Sequence, residues 1–411
     1  MHKKYSLLFI LLAIFTVGCT KDSTIPSGGQ KIVLNDKSLK LVQASNDFSF
    51  SLLNKSLDGT IENRMISPLS VSMALSMTLN GAAGTTLSAM QKALGYDGLT
   101  TGDINTINKD LTTALVNADS NVAMSIANSI WIRKDFTVLD PFITTNQTYY
   151  QAQVSKLDFN PAAVTTINSW VSDHTNGKIP TILTSISSNE IMFLINAIYF
   201  NGKWKYQFDA SNTVNEKFTC SDQNIIKVPM MKMENASFGY SVQDGYKALK
   251  MPYGADKFQM VLLLPDAGVS PDKLAANLNA DKWATLNAAL QYKTKLPVWV
   301  PKWKFSWDIT LNSILSSLGM DIAFDPNRAD FSAINAQNQL YITKVIHKTY
   351  IDVSESGTEA AAVTAVGVGT TAMPVDPPSF YLIRPYLFFI MEEDTGAILF
   401  AGKVENPLLT N

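Results

Sequence analysis

Cysteine occurs twice in this 411-residue chain, at Cys19 and Cys220, so no internal disulfide framework can hold it together. Stability must come from packing, and a composition that is 46% hydrophobic supplies a large core. Histidine occurs three times, and His2 lies in a segment that reads as removable, so a catalytic or metal-binding imidazole would have to be His174 or His347. The chain has no H-E-x-x-H, no G-x-S-x-G, no paired C-x-x-C and no phosphate-binding glycine loop. An enzyme, a metal site and a bound cofactor are therefore not expected, and a hydrolase built on His174 and His347 is a distant rival. Charge is sparse at 17%, the net charge is −2 and the isoelectric point is near 6.0, so nucleic acid is not an expected partner. No repeat, long low-complexity linker or charge run interrupts 47–404, which points to one large mixed domain.

The N-terminus carries Lys3 and Lys4, then nine apolar residues over 7–15, then Thr16-Val-Gly-Cys19. That is an export signal, too short to span a bilayer as a mature helix. It resembles a bacterial lipoprotein signal over 1–18, with Cys19 the lipidated residue and 19–40 a tether rich in Ser, Gly and Lys. Ordinary secretion, with Cys19 removed or free, is the alternative. The expected location is outside the cytoplasm, lipid-anchored to a bacterial membrane, on the surface or in the periplasm.

Apolar spacing predicts helices over 48–57, 69–81, 85–94, 104–117 and 168–174. Strand patterns follow over 121–132, 191–200, 227–233, 246–251, 258–264, 298–304, 340–353, 380–392 and 397–404. The 191–200 run is apolar enough to be covered on both faces. Helices first and strands after mean an α+β fold. His347 shares a strand face with Val345, Thr349, Ile351 and Val353, which predicts a hydrogen-bonded core histidine.

Residues 360–375 carry no charge, and 360–372 use only Ala, Val, Thr and Gly. This is strand chemistry placed where a loop is expected, between a strand and a proline-rich stretch that cannot continue one. In alternation, Thr358, Ala360, Ala362, Thr364, Val366, Val368 and Thr370 share a small, mostly apolar face fit for burial. A flexible linker is the plain reading of such composition. Only two more strands follow, however, and those need a sheet already built.

The run Glu355-Ser-Gly-Thr-Glu-Ala-Ala-Ala362 resembles the hinge of the serpins, the serine protease inhibitor family. Further matches fall in the family's order: Asn63, Ser67-Pro68, Ser70 and Ala74-Leu75; Asn196-Ala-Ile-Tyr-Phe-Asn-Gly-Lys-Trp204; Val228-Pro-Met-Met231; Lys344-Val-Ile-His347-Lys348; Arg384-Pro385; and Phe400-Ala-Gly-Lys-Val-Glu-Asn-Pro407. The resemblance covers 41–411. It implies a serpin domain of three β-sheets and about nine helices, with an exposed reactive loop and a main sheet one strand short. It also implies a suicide substrate: a protease attacks the loop, and the cut loop enters the sheet as a new strand before the acyl-enzyme is hydrolysed.

By that resemblance Glu355, Gly357, Thr358, Ala360, Ala361 and Ala362 form the hinge. Ser67, Ser70, Asn196 and His347 form a hydrogen-bonded shutter beneath the place where the sheet parts. Trp204, Lys302 and Glu355 form the breach where the loop first enters, with Lys302 and Glu355 expected as an ion pair. Core packing and a weak surface pair are the plain alternative for all of these. The hinge suits insertion because its inward positions are small and uncharged, while Glu359 points outward. Counting along the loop as the family does places the cut bond at Thr371-Ala372, with Val368, Thr370 and Met373 as alternatives. No Lys or Arg occurs over 359–383, so a trypsin-like pocket finds no partner, and an elastase-like or subtilisin-like serine protease is expected. A cysteine protease is a second partner class. The stretch 85–117, where some relatives bind heparin, holds only Lys92 and Lys109, so that cofactor is not expected. The expected protein is a monomer able to form loop–sheet polymers. The alternative function is a non-inhibitory lipoprotein of the same fold that binds a small molecule or a partner.

Overall fold

The computed structural model describes residues 29–234, 236–337, 339–358 and 378–410. Among them are nine α-helices and three β-sheets, the mixed α+β architecture expected. The six-stranded sheet runs in the order Trp303–Thr310, Ile346–Ser354, Gly357–Thr358, Met192–Lys203, Val122–Arg133, Gln153–Leu157. A seven-stranded sheet carries Phe258–Pro265 and Tyr386–Glu392 at its centre, each buried along its whole length. The third sheet has four strands: Phe380–Tyr381, Val298–Pro301, Ile225–Met233 and Val214–Thr219.

The helix Pro68–Leu79 lies under the six-stranded sheet. Ser67 caps it, its hydroxyl accepting from the Ser70 N–H, and Pro68 sits where its missing N–H costs nothing. Ten of its twelve residues are buried, so it has no solvent face to make polar. The helix Pro161–His174 covers the opposite face of the sheet. Its Ile167, Trp170 and Val171 pack with Trp131, Phe193, Ile195 and Ala197.

Several sequence expectations need correction. The tether was placed over 19–40, but the helix Asp36–Ser56 begins inside it, capped by Asn35. Gln30 N–H donates to Ala118 O at 2.9 Å, and Ile32 and Leu34 pack against the core, so 29–40 belongs to the folded body. The signal at 1–18 and Cys19 lie outside the described residues. The 298–304 run is two strands in different sheets, Val298–Pro301 and Trp303–Thr310, with Lys302 at the crossing. The 380–392 run is likewise two, broken around Arg384-Pro385. The 340–353 strand starts only at Ile346, because its partner Trp303–Thr310 ends opposite it, at the Thr310–Ile346 pair. The 191–200 strand is buried only on alternate residues. Its half-buried members, including Leu194 and Asn196, line an open lane.

Candidate functional site: a sheet with an unfilled lane

The strands Met192–Lys203 and Ile346–Ser354 run parallel, but among the described residues no ladder pair joins them directly. The two-residue strand Gly357–Thr358 sits between them at one end. Thr358 faces Val353 on one side and Gly202 on the other, and Gly357 faces Ser354 and Lys203. Below it the walls enclose a cavity of about 390 Å³, floored by Ser70, Ala74 and Leu75 of the buried helix. Its walls include Leu194, Ile342 and His347. Parallel strands that close need inter-strand hydrogen bonds, and here that position is open to one more strand.

Midway down the lane the sequence places four polar residues, and the fold brings them together. His347 Nε2 accepts from the Ser67 N–H at 2.9 Å, and the Ser67 hydroxyl donates to Leu399 O at 2.8 Å. The Ser70 N–H donates to Ser67 Oγ at 3.3 Å, and Ser70 Oγ reaches Asn196 O at 3.5 Å. Burial holds the imidazole neutral, its pKa pushed down to about 4. Asn196 donates to Asn128 Oδ1 at 2.8 Å. Its own Oδ1 is buried with no hydrogen-bond partner among the described residues, an unsatisfied acceptor on a residue that lines the lane.

At the top, Trp204 is buried and its indole N–H donates to Ser354 O at 2.9 Å. Its ring stacks on Tyr253 at 4.3 Å, and the Tyr253 hydroxyl meets Thr358 Oγ1 at 2.5 Å. Burial pushes the Tyr253 phenol up, so it stays protonated and able to share that bond. The side chain of Thr358 therefore points inward, onto the seven-stranded sheet. Lys302 Nζ lies 2.9 Å from Glu355 Oε2, and Thr213 donates to Glu355 Oε1 at 2.9 Å. Burial raises the Glu355 carboxyl, but Lys302, a backbone N–H and Thr213 outweigh it and hold the group below its usual value. The Trp204 N–H donates to Ser356 O and the Phe208 N–H to Glu355 O, which clamps the chain just before Gly357. Gly357 has φ +152°, and an added Cβ would lie 2.1 Å from Gly202 O.

Ser70, Asn196 and His347 thus line the lane, Ser67 is bonded to His347, and Trp204, Lys302 and Glu355 come together around the chain just before Gly357. Tyr253 and Thr213 were missed by sequence reasoning, because a Tyr in an apolar strand and a Thr in a loop look the same with or without such a partner. Ala360, Ala361 and Ala362 of the hinge, and the bond Thr371-Ala372 with its alternatives Val368, Thr370 and Met373, lie outside the described residues. His174 stacks on Trp170 at 4.1 Å, and its Nδ1 lies 2.8 Å from Trp170 O, far in sequence from any other candidate. Among the described residues no group of three or more His, Cys, Asp or Glu could hold a metal ion, and no helix is long and apolar enough to cross a membrane.

A model of the family "Serpin (serine protease inhibitor)" matches residues 43–407. Neuroserpin of Gallus gallus is 33% identical over 366 residues, which covers 85% of this chain and 87% of that protein. Leukocyte elastase inhibitor of Homo sapiens is 31% identical, covering 90% of this chain and all of that one. The crystal structure of the thermophilic serpin tengpin in its native state superposes with a TM-score of 0.81 at 34% identity, over 92% of this chain and 96% of that one. The lane, the strand seated at its top and these matches agree: the chain belongs to the serpin family of protease inhibitors.

Proposed function

We propose that this protein is a suicide-substrate inhibitor of serine proteases of elastase-like or subtilisin-like preference. One observation carries the reading: a lane one strand wide, with Gly357 and Thr358 already seated at its top and the inward side chain small and uncharged. The protease serine attacks the Thr371 carbonyl, the Ala372 nitrogen leaves as a new protonated amine, and an ester joins Thr371 to the enzyme. The freed segment then continues the register that Thr358 has begun. Each residue past Thr358 advances one place down the Met192–Lys203 strand. Thr364 arrives beside Asn196, where its hydroxyl can donate to the unsatisfied Oδ1, and Thr370 arrives at Glu190. Every ladder hydrogen bond formed on the way contributes about 1 kcal/mol net. The uncharged run up to Thr371 is thus long enough to fill the lane, and a cut at Thr371-Ala372 frees that part of it.

The elastase-like preference rests on the small, apolar, uncharged loop, and the human relative named for leukocyte elastase supports it. Export through 1–18, lipid attachment at Cys19 and a place at a bacterial membrane belong to the same proposal, with the folded body starting soon after the anchor. The test is incubation of the mature protein with trypsin, elastase and subtilisin, followed by SDS electrophoresis and sequencing of the released C-terminal peptide. An SDS-stable complex with elastase or subtilisin, and a peptide starting at Ala372, is the expected result. A stable complex with trypsin alone, or clean cleavage with no complex, contradicts it.

A further inference from the structure

At its lower end the lane is bridged by a charged contact. Glu190, just before the Met192–Lys203 strand, keeps its side chain only 3% exposed, and its Oε1 lies 3.7 Å from Lys344 Nζ. Lys344 belongs to the opposite wall, in the stretch before Ile346 that forms no strand. The two ends of this contact are held differently. Glu190 is fixed: its Oε2 accepts from the Ser187 N–H at 2.6 Å, and Arg133 Nη1 donates to Ser188 O at 3.0 Å and Glu190 O at 3.5 Å. Lys344 is a long side chain, 37% exposed, in a stretch with no ladder partner on the lane side among the described residues. A buried carboxylate whose compensating charge comes from across a gap ties the two sides together, because separating them leaves that charge unpaired.

We propose that Glu190–Lys344 is a clasp that positions the lower walls of the lane and sets how fast its last part opens. The inference rests on the inhibitory reading above and adds its regulation. Thr358 faces Gly202 and Val353, so continuing that register sets an inserted Thr370 at Glu190, between the two walls. Two strands flanking a third stand about 9.6 Å apart, twice the usual spacing. In that register Lys344 stands beside an inserted residue 367, three places and about 10 Å along from Glu190, so the two backbones end about 14 Å apart, at the limit of the two side chains' combined reach, and the clasp is pulled apart before insertion is complete. In the uncut molecule it lengthens the life of the native form; after cleavage it is part of the barrier the loop must cross.

The experiment compares the full mature chain with K344M, E190Q and the double variant E190Q/K344M. One readout is the half-life of inhibitory activity during mild heating, and the other is the melting temperature of each protein after loop cleavage. K344M is expected to shorten the native half-life about three- to tenfold, in line with a partly buried ion pair. The double variant should do no worse than K344M alone, as residues acting as one unit require. The melting temperature of the cleaved forms should not move, because the clasp is already parted there. Equal half-lives for K344M and wild type, or equal shifts in native and cleaved forms, would overturn the clasp. Failure of the inhibitory reading looks different: wild type itself would form no complex and gain no stability on cleavage.

Discussion

Gly357 and Thr358 seat the chain at the top of the lane, and each makes a separate prediction. At φ +152° and with Gly202 O where a Cβ would go, Gly357→Ala should cost about 2 kcal/mol at the hinge and raise the stoichiometry of inhibition, read by titration against elastase. Thr358→Glu places a carboxylate beside the Tyr253 hydroxyl in a buried site, a penalty of several kcal/mol. That variant should be cleaved as an ordinary substrate with almost no covalent complex, and an unchanged yield of complex would refute the inward placement. His347 predicts a pH response. Its folded pKa of about 4 lies below the ordinary 6.5, so as pH falls through this window the unfolded chain binds the proton first. Native stability should decline from pH 6.5 to 4, and His347→Gln should flatten that part of the urea-midpoint profile. Much of this was legible in advance: the parity of Thr358 and the apolar company of His347 follow from strand alternation. Tyr253 and the unsatisfied Asn196 Oδ1 were not, since both depend on which elements come to lie across from one another.

Among the elements, two of the strands that the sequence misjudged, 191–200 and 340–353, border the lane. Residues 340–345 have the alternation of a strand but lack a neighbour on one side, and on the other the Trp303–Thr310 ladder ends at Ile346. Periodicity reports which faces are apolar; it does not report whether a partner is present. The split of 298–304 at Lys302 has a function-related geometry, because that residue leaves one sheet for another beside Glu355. Glu355→Gln removes a charge pair at the loop's entry. It should shorten the native half-life at 45 °C by about fivefold, on the scale of about 1 kcal/mol for a partly buried pair. Size-exclusion chromatography after heating is the check, with polymers appearing earlier than in wild type. The tether boundary was misplaced for a related reason: 29–40 is polar in composition, yet Ile32, Leu34 and the Asn35 cap secure it to the body.

At the scale of the molecule, family and fold could be read from ordered motifs, while the state of the sheet could not. The proposed mechanism requires the same sequence to suit a sheet with the loop outside and one with the loop inside, two states that differ by a strand's worth of hydrogen bonds. On the proposed mechanism the native form is kinetically secured, with the Lys302–Glu355 and Glu190–Lys344 pairs among its barriers. Buried Cys220, its thiol pKa pushed up to about 11 by burial, adds no covalent lock. The most direct measurement is the thermal unfolding of the protein before and after a single cut within 359–377. A rise of at least about 20 °C on cleavage, as expected when a full strand joins the sheet of a domain this size, supports the account. An unchanged melting temperature, with the lane still open to an added peptide, contradicts it.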